Sequence, residues 1–297
     1  MIAVAGSVNM DLVARVPRIA APGQTVLGHG FAQFHGGKGA NQAVAAARLG
    51  AAVQFFGAVG NDALGDALAL GLRDEGIATQ GLARVDAASG CALISVSDDG
   101  ENAIAVLPGA NAFAPLPPLP LPRDFASTGW LLLQLELPLP TCLAWAQAAA
   151  ARGVRVMLNA APMAALPAAL LACVDTLVVN QGELAALLGA AVDVDVDAAL
   201  AAAAQLGPPR VVVTLGAAGC RAIDAGRVLH VAGMKVNVVD TTGAGDTFVG
   251  ALAASLDAGL TFDLALQRAN VAAALSCTVA GARGGMPDGV ALMNAMR

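Results

Sequence analysis

Apolar residues in this chain come as short unbroken runs, and Ala-rich stretches with helical spacing lie between them. Residues 2–5, 53–59, 130–135, 154–158, 176–179 and 211–215 have the length and β-branched content of buried strands. Helices are expected at 39–49, from about 60 to Glu75, and over 141–151, 166–172, 183–188, 198–206, 251–256 and 264–276, with a short one at the end. Residues 236–239, Val-Asn-Val-Val, read as the end of one more strand. Strand alternating with helix is the pattern of an α/β fold, a mostly parallel sheet covered by helices on both faces. Two stretches break this rhythm. Residues 12–16 and 25–34 flank Pro22-Gly23, and residues 91–97 and 102–107 flank Asp98-Asp99-Gly100-Glu101, both without crossover helices. They read as two antiparallel ribbons forming a small β lid, at roughly 12–35 and 90–108, within one domain spanning 1–297. A Pro-rich connection, 112–124, reads as extended surface chain.

Polar residues recur where the apolar strands end: Asn9 and Asp11, Gln134 and Glu136, Asn159, Asn180, Thr214. Each alone reads as a strand terminator or an Asx turn. Together they outline a crevice at the carboxyl edge of the sheet, where such folds bind ligands. Two Gly-rich stretches add chemistry. Asp240-Thr-Thr-Gly-Ala-Gly-Asp246 opens a helix, whose first N–H groups and dipole favour an anion. Asp246 in that first turn reads either as an ordinary helix-capping acid, without a partner of its own, or as a base for a nucleophile attacking a bound phosphate. Gly36-Gly37-Lys38-Gly39-Ala40-Asn41 also opens a helix, but it fails the Walker pattern because Gly39 follows Lys38. It offers Lys38 and Asn41 as hydrogen-bonding partners for a polar ligand.

Composition narrows the field. Hydrophobic residues reach 57%, with much of the excess in Ala, and the best apolar candidate for a span, 156–174, is broken by Asn159, Pro162 and Pro167. The start of the chain reads as a first strand, not a signal peptide, and a cytoplasmic location is expected. The net charge is −6, aromatics are 3% and Tyr is absent, which argues against nucleic acid. The five cysteines are scattered without Cys-x-x-Cys pairs and the three histidines show no ligand spacing, so neither set points to a metal centre.

The Gly36–Asn41 and Asp240–Asp246 stretches stand about two hundred residues apart, in an order and spacing that resemble the ribokinase-like (PfkB) carbohydrate kinases. Asn180-x-x-Glu183 and Thr214-Leu-Gly216-x-x-Gly219 extend the likeness to nearly the whole chain. The resemblance implies a three-layer fold with a β lid, dimerisation through that lid, and ATP-dependent phosphorylation of a sugar, D-ribose at its 5-hydroxyl. It implies that Asn9, Asp11, Gly37, Lys38, Asn41 and Glu136 hold the sugar, with Asp246 as the base. Asn180, Thr214, Leu215, Gly216, Gly219 and Asn270 would line the nucleotide site, and Gly243, Ala244 and Gly245 would form the anion hole. Glu183, with Asn180, would organise Mg²⁺. Asp240 and the carbonyls of Thr242, Ser276, Val279 and Gly281 would hold K⁺. Gly285 stands where relatives often carry a hydroxyl.

Overall fold

The computed structural model describes residues 1–117, 128–190 and 195–297. In chain order the strands and helices are β1 (Ile2–Ala5), β2 (Asn9–Val16), β3 (Gly30–Gly36), α1 (Lys38–Arg48), β4 (Val53–Gly60), α2 (Ala63–Asp74), β5 (Ala78–Val85), β6 (Gly90–Ser97) and β7 (Asn102–Leu107). After the connection follow β8 (Trp130–Gln134), α3 (Leu139–Ala150), β9 (Arg155–Asn159), α4 (Ala168–Leu171), β10 (Thr176–Asn180), α5 (Gln181–Leu188), α6 (Val196–Ala204) and β11 (Arg210–Thr214). The chain closes with β12 (Gly219–Asp224), β13 (Arg227–Ala232), α7 (Ala244–Asp257), α8 (Phe262–Ser276) and α9 (Gly289–Ala295).

Nine strands form the main sheet, in the order β13-β12-β11-β10-β9-β8-β1-β4-β5. From β5 to β11 every neighbouring pair is parallel, while β12 and β13 add an antiparallel edge. Successive side chains of a strand point to opposite faces, so each central strand feeds two cores. Ile2, Val4, Trp130 and Leu132 pack under α1, α2, α7 and α8. Ala3, Ala5, Leu131 and Leu133 pack under α3, α5 and α6. Trp130 and Trp145 thus lie on opposite faces of the sheet, both fully buried. Arg155 stacks its guanidinium 4.3 Å above the Trp130 ring, and Phe56 tilts against Trp145 at 4.7 Å. Burial of each large apolar side chain contributes about 1.5–3 kcal/mol. This is the expected three-layer α/β architecture, a mostly parallel sheet with helices on both faces. Among the described residues, no helix is long and apolar enough to cross a membrane.

A second sheet, β3-β2-β6-β7, covers one end of the first. The two ribbons are present, but they join through a parallel pair, β2 with β6, and the first ribbon's return strand begins only at Gly30. The stretch 25–29, Thr-Val-Leu-Gly-His, joins no sheet, and Leu27 is left exposed. Residues 236–239 are not a strand. Val238 and Val239 are 62% and 63% exposed, and the backbone N–H of Val239 donates to Cys277 O at 2.8 Å instead of to a ladder. The Pro-rich connection begins as a turn of 3-10 helix, Gly109–Phe113, fastened by Asn111, whose amide bonds Val8. Pro118, Pro120 and Pro122 lie outside the described residues.

Candidate active site

α1 and α7 cross so closely that a Cβ on Gly250 would stand 2.5 Å from Gln42 O. Ala43, Ala45, Ala46 and Val44 supply the short side chains this approach requires. The packing brings the N-terminus of α1, which carries the Gly36–Asn41 loop, against the N-terminus of α7, which carries Asp246.

Asp246 is the third residue of α7 after its N-cap, Gly243. It is 7% exposed and, contrary to the expectation of a carboxylate without partners, accepts two amide hydrogen bonds. Asn41 Nδ2 donates to Oδ2 at 3.0 Å, and Gln42 Nε2 donates to Oδ1 at 3.2 Å. Gln42 is itself held by Gln134 Nε2, which donates to its Oε1 at 2.6 Å, and also bonds Asn159 Oδ1 at 3.0 Å. Burial pushes the Asp246 carboxyl above the usual carboxylate range, while Lys38 and the two amide donors pull the other way.

On the lid side, Asp11 is pushed up to about 6 by burial, which the Arg283 charge opposes and the Glu136 and Asp246 charges reinforce. Asn9 is buried and accepts from Asn111 Nδ2 at 2.7 Å through its Oδ1. Glu136 Oε2 accepts from Lys38 N at 3.0 Å and from Ser7 Oγ at 2.5 Å, which ties the start of α1 to the end of β8. Gly37 is the N-cap of α1.

A cleft of about 220 Å³ joins the two sides, lined by Lys38, Asn159, Asn180, Glu183, Thr214, Gly243, Gly245 and Asp246 among others. A Cβ on Gly245 would meet no protein atom within 4 Å. Glycine there keeps space open for something other than the protein. The N–H groups of Gly243 and Gly245 have no partner among the described residues, whereas Ala244 N–H is committed to Thr241 O at 3.2 Å. Asp246 N–H is likewise without a partner there, so the helix N-terminus keeps free donors for an anion.

Asn180 and Glu183 form a capping box on α5, each side chain accepting the other's backbone N–H at 2.8 Å. Burial raises the Glu183 carboxyl, opposed by the Asn180 N–H and the Lys38 charge, with Asp246 adding to the rise. Thr214 ends β11, and Leu215, Gly216 and Gly219 follow in a tight turn to β12. Asn270 donates from Nδ2 to Ala232 O at 2.9 Å.

Asp240 accepts from Thr242 N at 2.9 Å and Gly281 N at 2.8 Å. Burial alone would push its carboxyl up, but these backbone donors prevail and hold it below the usual range. Hard oxygen donors of this kind, a carboxylate with backbone carbonyls, suit an alkali cation. Gly285 abuts the Ser276 carbonyl so tightly that no side chain fits there without a backbone shift, so residue 285 supplies no side-chain oxygen.

The sequence pattern does not single out Ser7, Gln42, Asn111 or Arg283. Gln42 stands directly after Asn41 in a helix N-terminus, and its polarity in an otherwise Ala-rich run is the signal that could have marked it.

A buried carboxylate between a polar loop and an open helix N-terminus, at the carboxyl edge of a parallel sheet, defines a phosphotransferase acting on an alcohol. The comparisons narrow this class. Residues 1–289 match the pfkB family carbohydrate kinases, and the chain belongs to that family. It is 38% identical to the ribokinase of Haemophilus influenzae, over 96% of this chain and 94% of that one. It is 34% identical to the deoxyribokinase of Salmonella typhi, over 97% and 95% of the two chains. The structure of Arabidopsis thaliana ribokinase complexed with ribose and ATP superposes with a TM-score of 0.93 at 32% identity, covering 100% of this chain and 98% of that chain.

Proposed function

We propose that this protein phosphorylates D-ribose at its 5-hydroxyl, using ATP and releasing D-ribose 5-phosphate and ADP. One observation carries the reading. A single cleft holds Lys38 from the Gly36–Asn41 loop, Gly243 and Gly245 from the anion-accepting helix, and Asp246 between them. The sugar is held by Asn9, Asp11, Gly37, Lys38, Asn41 and Glu136. The nucleotide lies toward Asn180, Thr214, Leu215, Gly216, Gly219 and Asn270. Asp246 takes the hydroxyl proton as the oxygen attacks the γ-phosphorus. The bond from that phosphorus to the bridging oxygen breaks, and ADP leaves with the electron pair. Charge developing on the transferred group meets the Gly243 and Gly245 N–H groups, which are already oriented.

Glu183 and Asn180 would hold Mg²⁺ through its waters, a role their capping duty leaves room for, since a carboxylate has further lone pairs. Bound there, Mg²⁺ supplies neutralising charge at the phosphates. Asp240 and the carbonyls of Thr242, Ser276, Val279 and Gly281 would hold K⁺ beside the start of α7. Residues 1–297 form one kinase domain, and the lid's exposed apolar residues, Phe31 at 67% and Ile104 at 57% among them, support a homodimer formed through it. Five free cysteines fit a reducing compartment such as the cytoplasm.

Purified protein assayed on ribose, 2-deoxyribose, fructose and adenosine, with and without K⁺, tests the reading. The highest kcat/KM is expected on ribose. A ranking that places ribose well below another acceptor would overturn the substrate, and no ADP formed with any of them would overturn the activity.

A further inference from the structure

Arg283 is half-buried and has no carboxylate within ion-pair distance among the described residues. Its contacts run to the site. Nε donates to Asn41 Oδ1 at 2.9 Å, and Nη2 donates to Gly36 O at 3.1 Å. Its own backbone carbonyl accepts from Arg48 Nη1 at 2.7 Å, and Arg48 is pinned by Glu75 through two bonds, at 2.9 and 2.6 Å. A continuous chain therefore runs from Glu75, the C-cap of α2, through Arg48 and Arg283 to Asn41, and from Asn41 to Asp246.

The chemistry of the two ends fixes the middle. An Asn side chain presents an acceptor on one side and a donor on the other, and rotation about χ2 exchanges them. A guanidinium only donates, so the atom of Asn41 facing Arg283 must be the oxygen. Nδ2 is then turned to Asp246, where it supports the ionised, acceptor-only form of the carboxylate. With the amide reversed, Oδ1 would face Asp246 and favour the protonated acid, which cannot take a proton from the sugar. We propose that Arg283 is a positioning residue that locks the amide of Asn41 in the orientation the catalytic carboxylate needs. The proposal rests on the kinase reading given above. Burial lowers the Arg283 guanidinium to about 10, with Glu75, Asp11 and Asp246 opposing and Arg48 adding to the fall, so it stays cationic at neutral pH. His35 on β3 also feels the Arg283 charge.

The test is a set of variants, Arg283→Met, Arg283→Lys and Arg283→Gln, each made in the natural and the Asn41→Ala background. Arg283→Met is expected to lower kcat about 10- to 100-fold, the cost of a misplaced catalytic contact, with KM for ATP held within about twofold. In the Asn41→Ala background the same change is expected to cost less than about twofold, because its route to Asp246 is gone. Lys also only donates and is expected to recover most of the activity, whereas Gln, which can turn an acceptor to Asn41, is not. Equal losses in both backgrounds, or Gln performing as well as Lys, would overturn the proposal. The Lys and Gln pair decides the matter if the Met variant does not fold. A readout free of sugar turnover separates this proposal from the kinase reading. The side-chain amide resonances of Asn41, assigned by their loss in Asn41→Ala, are expected to move in Arg283→Gln, and unmoved resonances would overturn the role of Arg283 even if ribose proves the wrong substrate.

Discussion

Asn41 and Asp246, 205 residues apart in sequence, share a 3.0 Å hydrogen bond between the first turns of α1 and α7. The bond joins the loop proposed to hold the acceptor to the group proposed to deprotonate it. Replacement of Asp246 by Asn keeps the shape and removes the base. kcat is expected to fall about 10²–10⁴-fold, the usual contribution of a general base, with sugar affinity largely kept. Single-turnover kinetics with calorimetric ribose binding will check this, and near-normal turnover would remove the base assignment.

The raised carboxyl of Asp246 sets a pH dependence. Protonation disables a base, so kcat should decline on the acid side through a value above the ordinary carboxylate range. A flat kcat profile down to the pKa of an ordinary carboxylate would contradict the environment described for this group.

Asp11 makes a separate prediction about stability. Its folded value, about 6, lies above the ordinary 3.8, so its stabilising contribution is complete only below the unfolded value and is lost as pH rises through about 6. At neutral pH the ionised side chain therefore costs stability. Asp11→Asn is expected to raise Tm by a few degrees at pH 7, to leave it nearly unchanged at pH 4, and to weaken ribose binding. Calorimetry at the two pH values will check the sign, and a lower Tm at pH 7 would contradict it.

Gly245 and Gly250 lie on one helix and should fail in different ways. No protein atom opposes a Cβ at 245, and Ala is the better helix former, so Gly245→Ala should keep or slightly raise Tm. Its methyl group would enter the anion cradle, and kcat should fall about 10²-fold or more, as when an oxyanion donor is lost. Gly250→Ala instead drives a methyl into the α1 backbone and should cost about 1–3 kcal/mol of stability. Thermal melts beside steady-state kinetics will separate the two, and matching behaviour would refute the contrast.

The lid exposes Phe31, Leu93, Ile104, Val106 and Leu107. If two copies cover this surface, Ile104→Asp should halve the mass measured by light scattering while the main sheet stays folded. A natural protein that is already monomeric would rule the lid out as an interface.

The central sheet was legible because its strands are buried on both faces and read as unbroken apolar runs. The strands with no such signal lie on its flanks, β5 on one side and the β12–β13 hairpin on the other. β5 has intermediate burial and β13 alternates exposed with half-buried positions, so neither makes a run. Val236 to Val239 shows the converse, a β-branched stretch with no sheet edge to join. In the site, the two Gly-rich loops and Asp246 were legible from local spacing. Gln42 and Arg283 were not, because their partners are distant in sequence and only the α1–α7 contact and the 280s loop bring them together.

With no Tyr in the chain, Trp130 and Trp145 dominate its near-ultraviolet absorption and emission, and each belongs to one face of the sheet. Replacing either one by Phe leaves a lone fluorophore that reports the loosening of a single layer. The protein thus carries two built-in optical probes, able to tell whether both sides of its sheet melt as one unit or in succession.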